Sequence, residues 1–345
     1  MSTILLSPLR GESALASAVD PPTAVPPSVV TAADQDHRHE KDSPPMPFLD
    51  SHDGTTLFYR DRGTGRPIVF CSAWGLDSTE FQYQTTDLVE NGFRVISYDR
   101  RSHGRSDDPG HGYDYDTLAD DLSAVLTHLD LYDASLVGHS MGTGEIVRYL
   151  TRHSTARTRR LVLIGPVLPF MLATPDNPSG VPAAAVEEIR TSWKQDFGTW
   201  LHENAPAYFG ETLPNRIVSQ HVQAWTLSSM MSVPLHAMLA CNHSIIETDF
   251  RPELPAITLP TLIIHGDMDA SVAAEISAEP LSELLPNASL KIYENAPHGL
   301  YLTHAARLAQ DLLDFTRESA RHTAEDSNRN SPGTPIHAPS RDPLR

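Results

Sequence analysis

Three separate stretches of the chain carry the side-chain types that acyl transfer requires: Ser140 in Gly138-His139-Ser140-Met141-Gly142, Asp269 in Gly266-Asp267-Met268-Asp269-Ala270-Ser271, and His298 in Glu294-Asn295-Ala296-Pro297-His298-Gly299. A serine hydroxyl becomes a useful nucleophile only when a base within hydrogen-bond reach takes its proton. That base in turn needs a carboxylate to fix its tautomer and stabilise the imidazolium. The G-x-S-x-G spacing around Ser140 is that of a nucleophile elbow, a strained strand-to-helix turn whose flanking glycines let neighbouring chain pass close by. Ser, Asp, His is also the chain order expected when such a triad stands on a parallel sheet. His298 is therefore the expected general base and Asp269 its orienting acid. Asp267 competes for that role, but an aspartate directly after glycine at a strand end more often ties the amides of its own loop.

The tetrahedral intermediate of acyl transfer needs two backbone N–H groups aimed at its oxygen, each worth about 3–4 kcal/mol. Met141, just past the nucleophile, supplies one. The loop Ser72-Ala73-Trp74-Gly75-Leu76 is expected to supply the other through the Trp74 N–H, a role compatible with a core position for the indole. His139 is too close in sequence to face its own serine and is expected to pack beneath it, whereas His265 ends a strand and reads as structural. This chemistry requires no cofactor. Seventeen histidines raise metal-dependent hydrolysis as a rival, but His37-Arg38-His39-Glu40 lies in the N-terminal tail and no H-E-x-x-H is present.

The elements that must position these groups alternate along the chain. Strands are expected at 55–60, 67–71, 94–98, 134–138, 161–164, 261–265 and 289–293. Helices are expected at Tyr115–Leu129, after Ser140, around 273–285 and at 300–316. Short apolar strands alternating with helices predict a mostly parallel twisted sheet with helices on both faces. Residues 166–250 break the rhythm with aromatic- and methionine-rich segments that look helical. They are expected to form a cap over the C-terminal edge of the sheet, where open α/β sheets bind ligands. Phe170 and Trp225 are the cap residues expected to contact substrate, against the competing reading that they form the cap's own core. The predicted organisation is a disordered tail at 1–45, a core at 46–165 and 251–317, the helical cap at 166–250, and a second disordered tail at 318–345.

Composition narrows the function. The chain has 345 residues, 40% hydrophobic and 20% charged, an ordinary globular balance with no apolar run long enough for a membrane span. With 26 basic and 44 acidic residues the formal charge is −18, which argues against nucleic acid and anionic membranes and leaves a small-molecule substrate as the expected partner. The oligomeric state is not legible. Met1-Ser2-Thr3-Ile4-Leu5-Leu6 lacks a basic leader and is read as no signal peptide. Two cysteines, Cys71 and Cys241, suit reduced thiols and a cytoplasmic protein.

Taken together, Tyr98-Asp99-Arg100-Arg101-Ser102-His103-Gly104-Arg105-Ser106, the elbow with Thr143-Gly144-Glu145 after it, Glu247-Thr248-Asp249-Phe250 and Ala296-Pro297-His298-Gly299-Leu300 resemble motifs of the α/β-hydrolase superfamily. Within it they are similar to the cofactor-free haloperoxidase and arylesterase group, over about residues 46–316. The resemblance implies a serine hydrolase of esters or lactones, working through an acyl-enzyme that hydrogen peroxide can intercept to give a peracid. The chain departs from that pattern with Ser72-Ala73 in place of His-Gly and Gly75 in place of Pro, and weak perhydrolysis is expected from the altered loop. Ser102 and Thr143 replace glycines away from the chemistry. Alternatives on the same triad are a C–C bond hydrolase and a nearly inert, ligand-binding relative; Ser140 argues against the carboxylate-nucleophile chemistries of this scaffold.

Overall fold

Short apolar runs bounded by glycine, proline or aspartate build one twisted sheet. The computed structural model describes residues 47–213 and 218–317. The tails expected at 1–45 and 318–345, with His37-Arg38-His39-Glu40, lie outside the described residues.

In chain order the elements are β1 (Phe48–Asp50), β2 (Thr56–Gly63), β3 (Pro67–Cys71), α1 (Gln82–Glu90), β4 (Arg94–Tyr98), α2 (Tyr115–His128), β5 (Ala134–His139), α3 (Met141–Arg152) and β6 (Thr158–Ile164). After β6 come α4 (Ala183–Tyr208), α5 (Gln220–Ser232) and α6 (Leu235–Glu247). The chain then continues through β7 (Thr261–Gly266), α7 (Ala278–Leu284), β8 (Ala288–Tyr293), α8 (Leu300–Thr303) and α9 (Ala305–Arg317). The strand order is β1-β2-β4-β3-β5-β6-β7-β8. All neighbours run parallel except β2, which pairs antiparallel with both β1 and β4. The expected mostly parallel sheet, covered on both faces, is therefore present.

Alternation along the strands feeds two cores. Val69, Cys71, Leu136, Leu161 and Leu163 face α2 and α3, while Ile68, Phe70, Val137, Val162 and Ile164 face α1 and α9. The chain leaves β3 toward β4 and then returns to β5 on the other side, with Cys71 opposite Gly138. The loops that follow β3 and β5 therefore diverge, opening a crevice at the C-terminal edge of the sheet.

Four elements differ from the sequence expectation, the first being α1, where no helix is expected. β1 is three residues long, too short for a pattern to announce. The helix expected at 273–285 is confined to α7, because Ser277 takes a non-helical conformation after a 3-10 turn. The single helix expected at 300–316 is broken at His304. Between β6 and β7, α4 is two helices meeting at Asp196, whose carboxylate caps the second by accepting the Thr199 N–H at 2.9 Å. Among the described residues no helix is long and apolar enough to cross a membrane.

The elbow helix lies hard against β3. A Cβ on Gly142 would sit 2.2 Å from the Cys71 carbonyl oxygen, a backbone atom with nowhere to go. Gly142→Ala should therefore lower stability by about 1–3 kcal/mol. Gly198→Ala, whose Cβ would approach nothing closer than 3.4 Å, should be neutral or slightly stabilising. Urea unfolding midpoints check both, and a Gly142→Ala midpoint equal to wild type would contradict the close approach.

Candidate active site

Ser140 occupies the turn between β5 and α3 with φ 51° and ψ −115°, a conformation that L-residues avoid. The turn is held from below. The Ser140 N–H donates to the Ile164 carbonyl at 2.9 Å, and the Thr143 hydroxyl and amide both donate to the Ser140 carbonyl, at 2.6 and 3.0 Å. Thr143, which departs from the glycine of the resemblance, thus braces the elbow it follows.

His298 and Asp269 meet as the sequence predicts, with Nδ1 of His298 2.6 Å from Oδ2 of Asp269. Oδ1 of Asp269 accepts the Ser271 and Val272 N–H groups, both at 2.9 Å, so the carboxylate is fixed before it fixes the imidazole. Asp267 instead accepts the Ala296 N–H at 3.3 Å, tying the two loops together. His265 is buried and bonded to the Val272 carbonyl. Burial alone would push the His298 imidazole down. The charge and hydrogen bond of Asp269, aided by the charge of Glu80, outweigh it and raise the imidazole above its ordinary value. Asp269 is held below the usual carboxylate range: burial would raise it, but His298, His265 and the Val272 N–H prevail.

The loop after β3 is clamped from several directions. Arg100, fully buried after β4, donates to the Ser72 carbonyl at 2.5 Å and to the Ala73 carbonyl at 3.2 Å. Its Nε donates to Glu145 of α3, whose other oxygen accepts the Tyr98 hydroxyl at 2.8 Å. Glu80 accepts the Ala73 N–H at 2.8 Å, and the Trp74 indole N–H donates to the Met238 carbonyl at 2.9 Å. Met141 opens α3, where an amide has no intrahelical acceptor. The backbone N–H of Trp74 likewise finds no acceptor among the described residues.

Ser140, His298, Ala73 and Trp74 line one cavity of about 340 Å³. Its wall is Trp193, Trp200, Tyr208, Leu227, Met230 and further aliphatic residues, with Asn204, Asn242 and Ser271 as polar groups and no aspartate, glutamate, lysine or arginine among the described lining residues. Trp74 stacks on Trp193 at 4.8 Å. The two cap residues expected to contact substrate are not on this wall. Phe170 is buried under the Arg251 guanidinium, 5.0 Å from its ring, while its neighbours Val167 and Met171 line the cavity. Trp225 lies about 200° around α5 from Leu227, so the face that brings Leu227 and Met230 to the cavity turns Trp225 outward to 39% exposure. Glu80 went unrecognised in the sequence, while Arg100 and Glu145 stood within motifs and the tryptophans of α4 within the cap, none with a role assigned to it. One signal was available for Glu145, a charged residue on the apolar face of the elbow helix.

The chain matches the family model for the alpha/beta hydrolase fold over residues 66–305. It is 41% identical to a non-heme haloperoxidase of Rhodococcus erythropolis, over 78% of this chain and 99% of the relative. It is 34% identical to a bifunctional esterase/perhydrolase of Acinetobacter calcoaceticus, over 79% and 100%. A bromoperoxidase from Bacillus anthracis superposes with a TM-score of 0.74 at 35% identity, covering 79% of this chain and all of that one.

Because the folded-state imidazole of His298 is raised above 6.5, its protonation contributes stability that is fully present below pH 6.5 and lost as pH rises through the raised value. Asp269→Asn removes the main stabiliser of the imidazolium and leaves burial opposed only by the charge of Glu80, so the titration midpoint should fall. Imidazole NMR titration of both proteins checks this, and an unmoved midpoint would contradict the pairing. Arg100→Met strands Glu145 without its partner and should cost about 3–5 kcal/mol in urea unfolding.

Proposed function

The chain belongs to the α/β-hydrolase family, and from that premise we propose that it cleaves an uncharged, small-to-medium carboxylic ester or lactone through an acyl-enzyme on Ser140. The observation that carries the reading is the convergence of Ser140, His298 and the Ala73–Trp74 loop on one apolar cavity, with Asp269 bonded behind His298. His298 takes the Ser140 proton as Oγ attacks the acyl carbon, and Asp269 stabilises the imidazolium that forms. The backbone N–H groups of Trp74 and Met141 receive the oxyanion. His298 then protonates the leaving alkoxide. Water, deprotonated by the same base, releases the acid and restores Ser140.

Hydrogen peroxide in place of that water gives a peracid, the side activity that the esterase/perhydrolase relative carries in its name. In this chain perhydrolysis is weak beside hydrolysis. Gly75, next to the oxyanion tryptophan, takes φ +74°, which the ring of proline cannot adopt, so the loop has a path that a proline at this position excludes. The wall favours apolar acyl and alcohol groups, because a carboxylate or ammonium on the substrate would be buried without a partner. The site of action is the cytoplasm, consistent with Cys71 and Cys241 as buried free thiols.

A panel of p-nitrophenyl esters of increasing acyl length, run on wild type and Ser140→Ala with fluorophosphonate labelling alongside, tests the reading. Turnover should peak at intermediate length. In Ser140→Ala labelling should vanish and kcat should drop by about 10⁴-fold or more. Folded wild type that neither labels nor turns over any ester would overturn it, and a peracid yield rivalling ester turnover would overturn the weak-perhydrolysis part.

A further inference from the structure

A second buried carboxylate–imidazole pair lies directly behind the first. Glu80, in the turn before α1, places Oε1 2.5 Å from Nδ1 of His139, and both side chains have 0% exposure. The His139 ring lies against that of His298, centroids 4.8 Å apart and tilted by 36°. Its Nε2 has no hydrogen-bond partner among the described residues. That nitrogen and Cε1 of His298 border the same face of Gly165, where an added Cβ would stand 3.4 Å and 3.2 Å from them. The other Glu80 oxygen accepts the Ala73 N–H at 2.8 Å, one residue before the proposed oxyanion donor Trp74.

We propose that Glu80 is a positioning residue for the reaction: one carboxylate holds the oxyanion loop by its Ala73 amide and, through His139, sets a second negative charge beneath the imidazolium of His298. The inference rests on the Ser140–His298–Asp269 reading above. Stability alone does not account for the pair, since apolar side chains of similar volume would fill the same space without desolvating a carboxylate. The geometry does. Glu80 holds the Ala73 N–H and Arg100 holds the Ala73 carbonyl, so both backbone groups of this residue are pinned, and the Trp74 N–H, which shares a peptide plane with that carbonyl, is aimed before substrate arrives.

The groups around His298 and the adjoining His139 come from four elements. Asp269 follows β7, His265 ends β7, His139 ends β5, Tyr208 ends α4 with its ring 5.8 Å away, and Tyr301 of α8 packs on His139 at 5.5 Å. Burial raises both tyrosine hydroxyls, so neither adds a charge at working pH. Glu80 and Asp269 are therefore the two anions that the imidazolium meets.

Glu80→Gln keeps an acceptor for the Ala73 N–H and removes the charge; Glu80→Ala removes both. The readouts are kcat/KM against pH, kcat and KM separately, and inhibition by phenylboronic acid, whose tetrahedral adduct needs the oxyanion donors. Glu80→Gln should shift the acid limb of the profile to lower pH with KM little changed. Glu80→Ala should lose about 10²-fold in kcat and bind the boronic acid more weakly by a similar factor, again at near-constant KM. A merely structural role would lower the melting temperature and leave the acid limb in place. If Glu80→Ala does not fold, the Glu80→Gln profile decides alone. An active wild type whose Glu80→Gln variant keeps its acid limb overturns this inference; a wild type that neither turns over esters nor labels overturns the hydrolase reading itself.

Discussion

The site depends on a guanidinium that never sees water. Arg100 leaves the end of β4, pairs with Glu145 on the elbow helix and grips two successive carbonyls of the loop after β3. Desolvating such an ion pair is costly, and only saturation of its hydrogen bonds makes it tolerable. Here the arginine reaches a carboxylate and two carbonyls, and the carboxylate also takes the Tyr98 hydroxyl. What results is less a gain in stability than a fixed distance between two loops that share no covalent link. One carries the amide of Trp74, the other Ser140 and the amide of Met141.

Fixed distance matters because the elbow is strained. Ser140 keeps φ near +51° only because Ile164 holds its amide and Thr143 its carbonyl, while Gly142 lets α3 close onto Cys71. The switch in strand order between β3 and β5 supplies the space, and Arg100 bridges it. Behind the base the same logic recurs. Asp269 is oriented by two backbone amides before it orients His298, and the Gly299 amide donates to the Tyr208 carbonyl at 2.9 Å, so the end of α4 steadies the loop of the base.

Much of this was legible in the sequence, and the reasons are local. A strand, a turn and a helix around Ser140 can be read from a dozen residues, and so can strand ends followed by Asp269 and His298. Parallel-sheet periodicity then places all three at one edge. What escaped reading depends on partners distant in sequence. Glu80 meets His139 across 59 positions and Arg100 meets Glu145 across 45, and no local pattern marks a buried charge as paired. Phe170 and Trp225 fall outside the cavity wall for a geometric reason. Aromatic content located the right segment, but which face of α5 turns inward is set by packing, and Trp225 lies on the outer one while Leu227 and Met230 face in. The broken last helix is similar, since nothing in the apolar period marks His304 as the break.

The apolar wall and the charged floor belong to one design. Tryptophans, methionines and aliphatic side chains surround Ser140 with only uncharged polar groups among them, and the carboxylates below are fully buried. Charges then interact more strongly than they would in water. In such a medium an imidazolium formed midway through the reaction is stabilised by whatever anions are already in place, at no cost of reorganisation. Two carboxylates are in place here, each locked by backbone amides: Asp269 by Ser271 and Val272, Glu80 by Ala73. The amide that Glu80 fixes belongs to the loop proposed to receive the opposite charge, the oxyanion. On the proposed mechanism, stabilisation of the positive and negative ends of the transition state is coupled through one buried side chain beneath an apolar cavity.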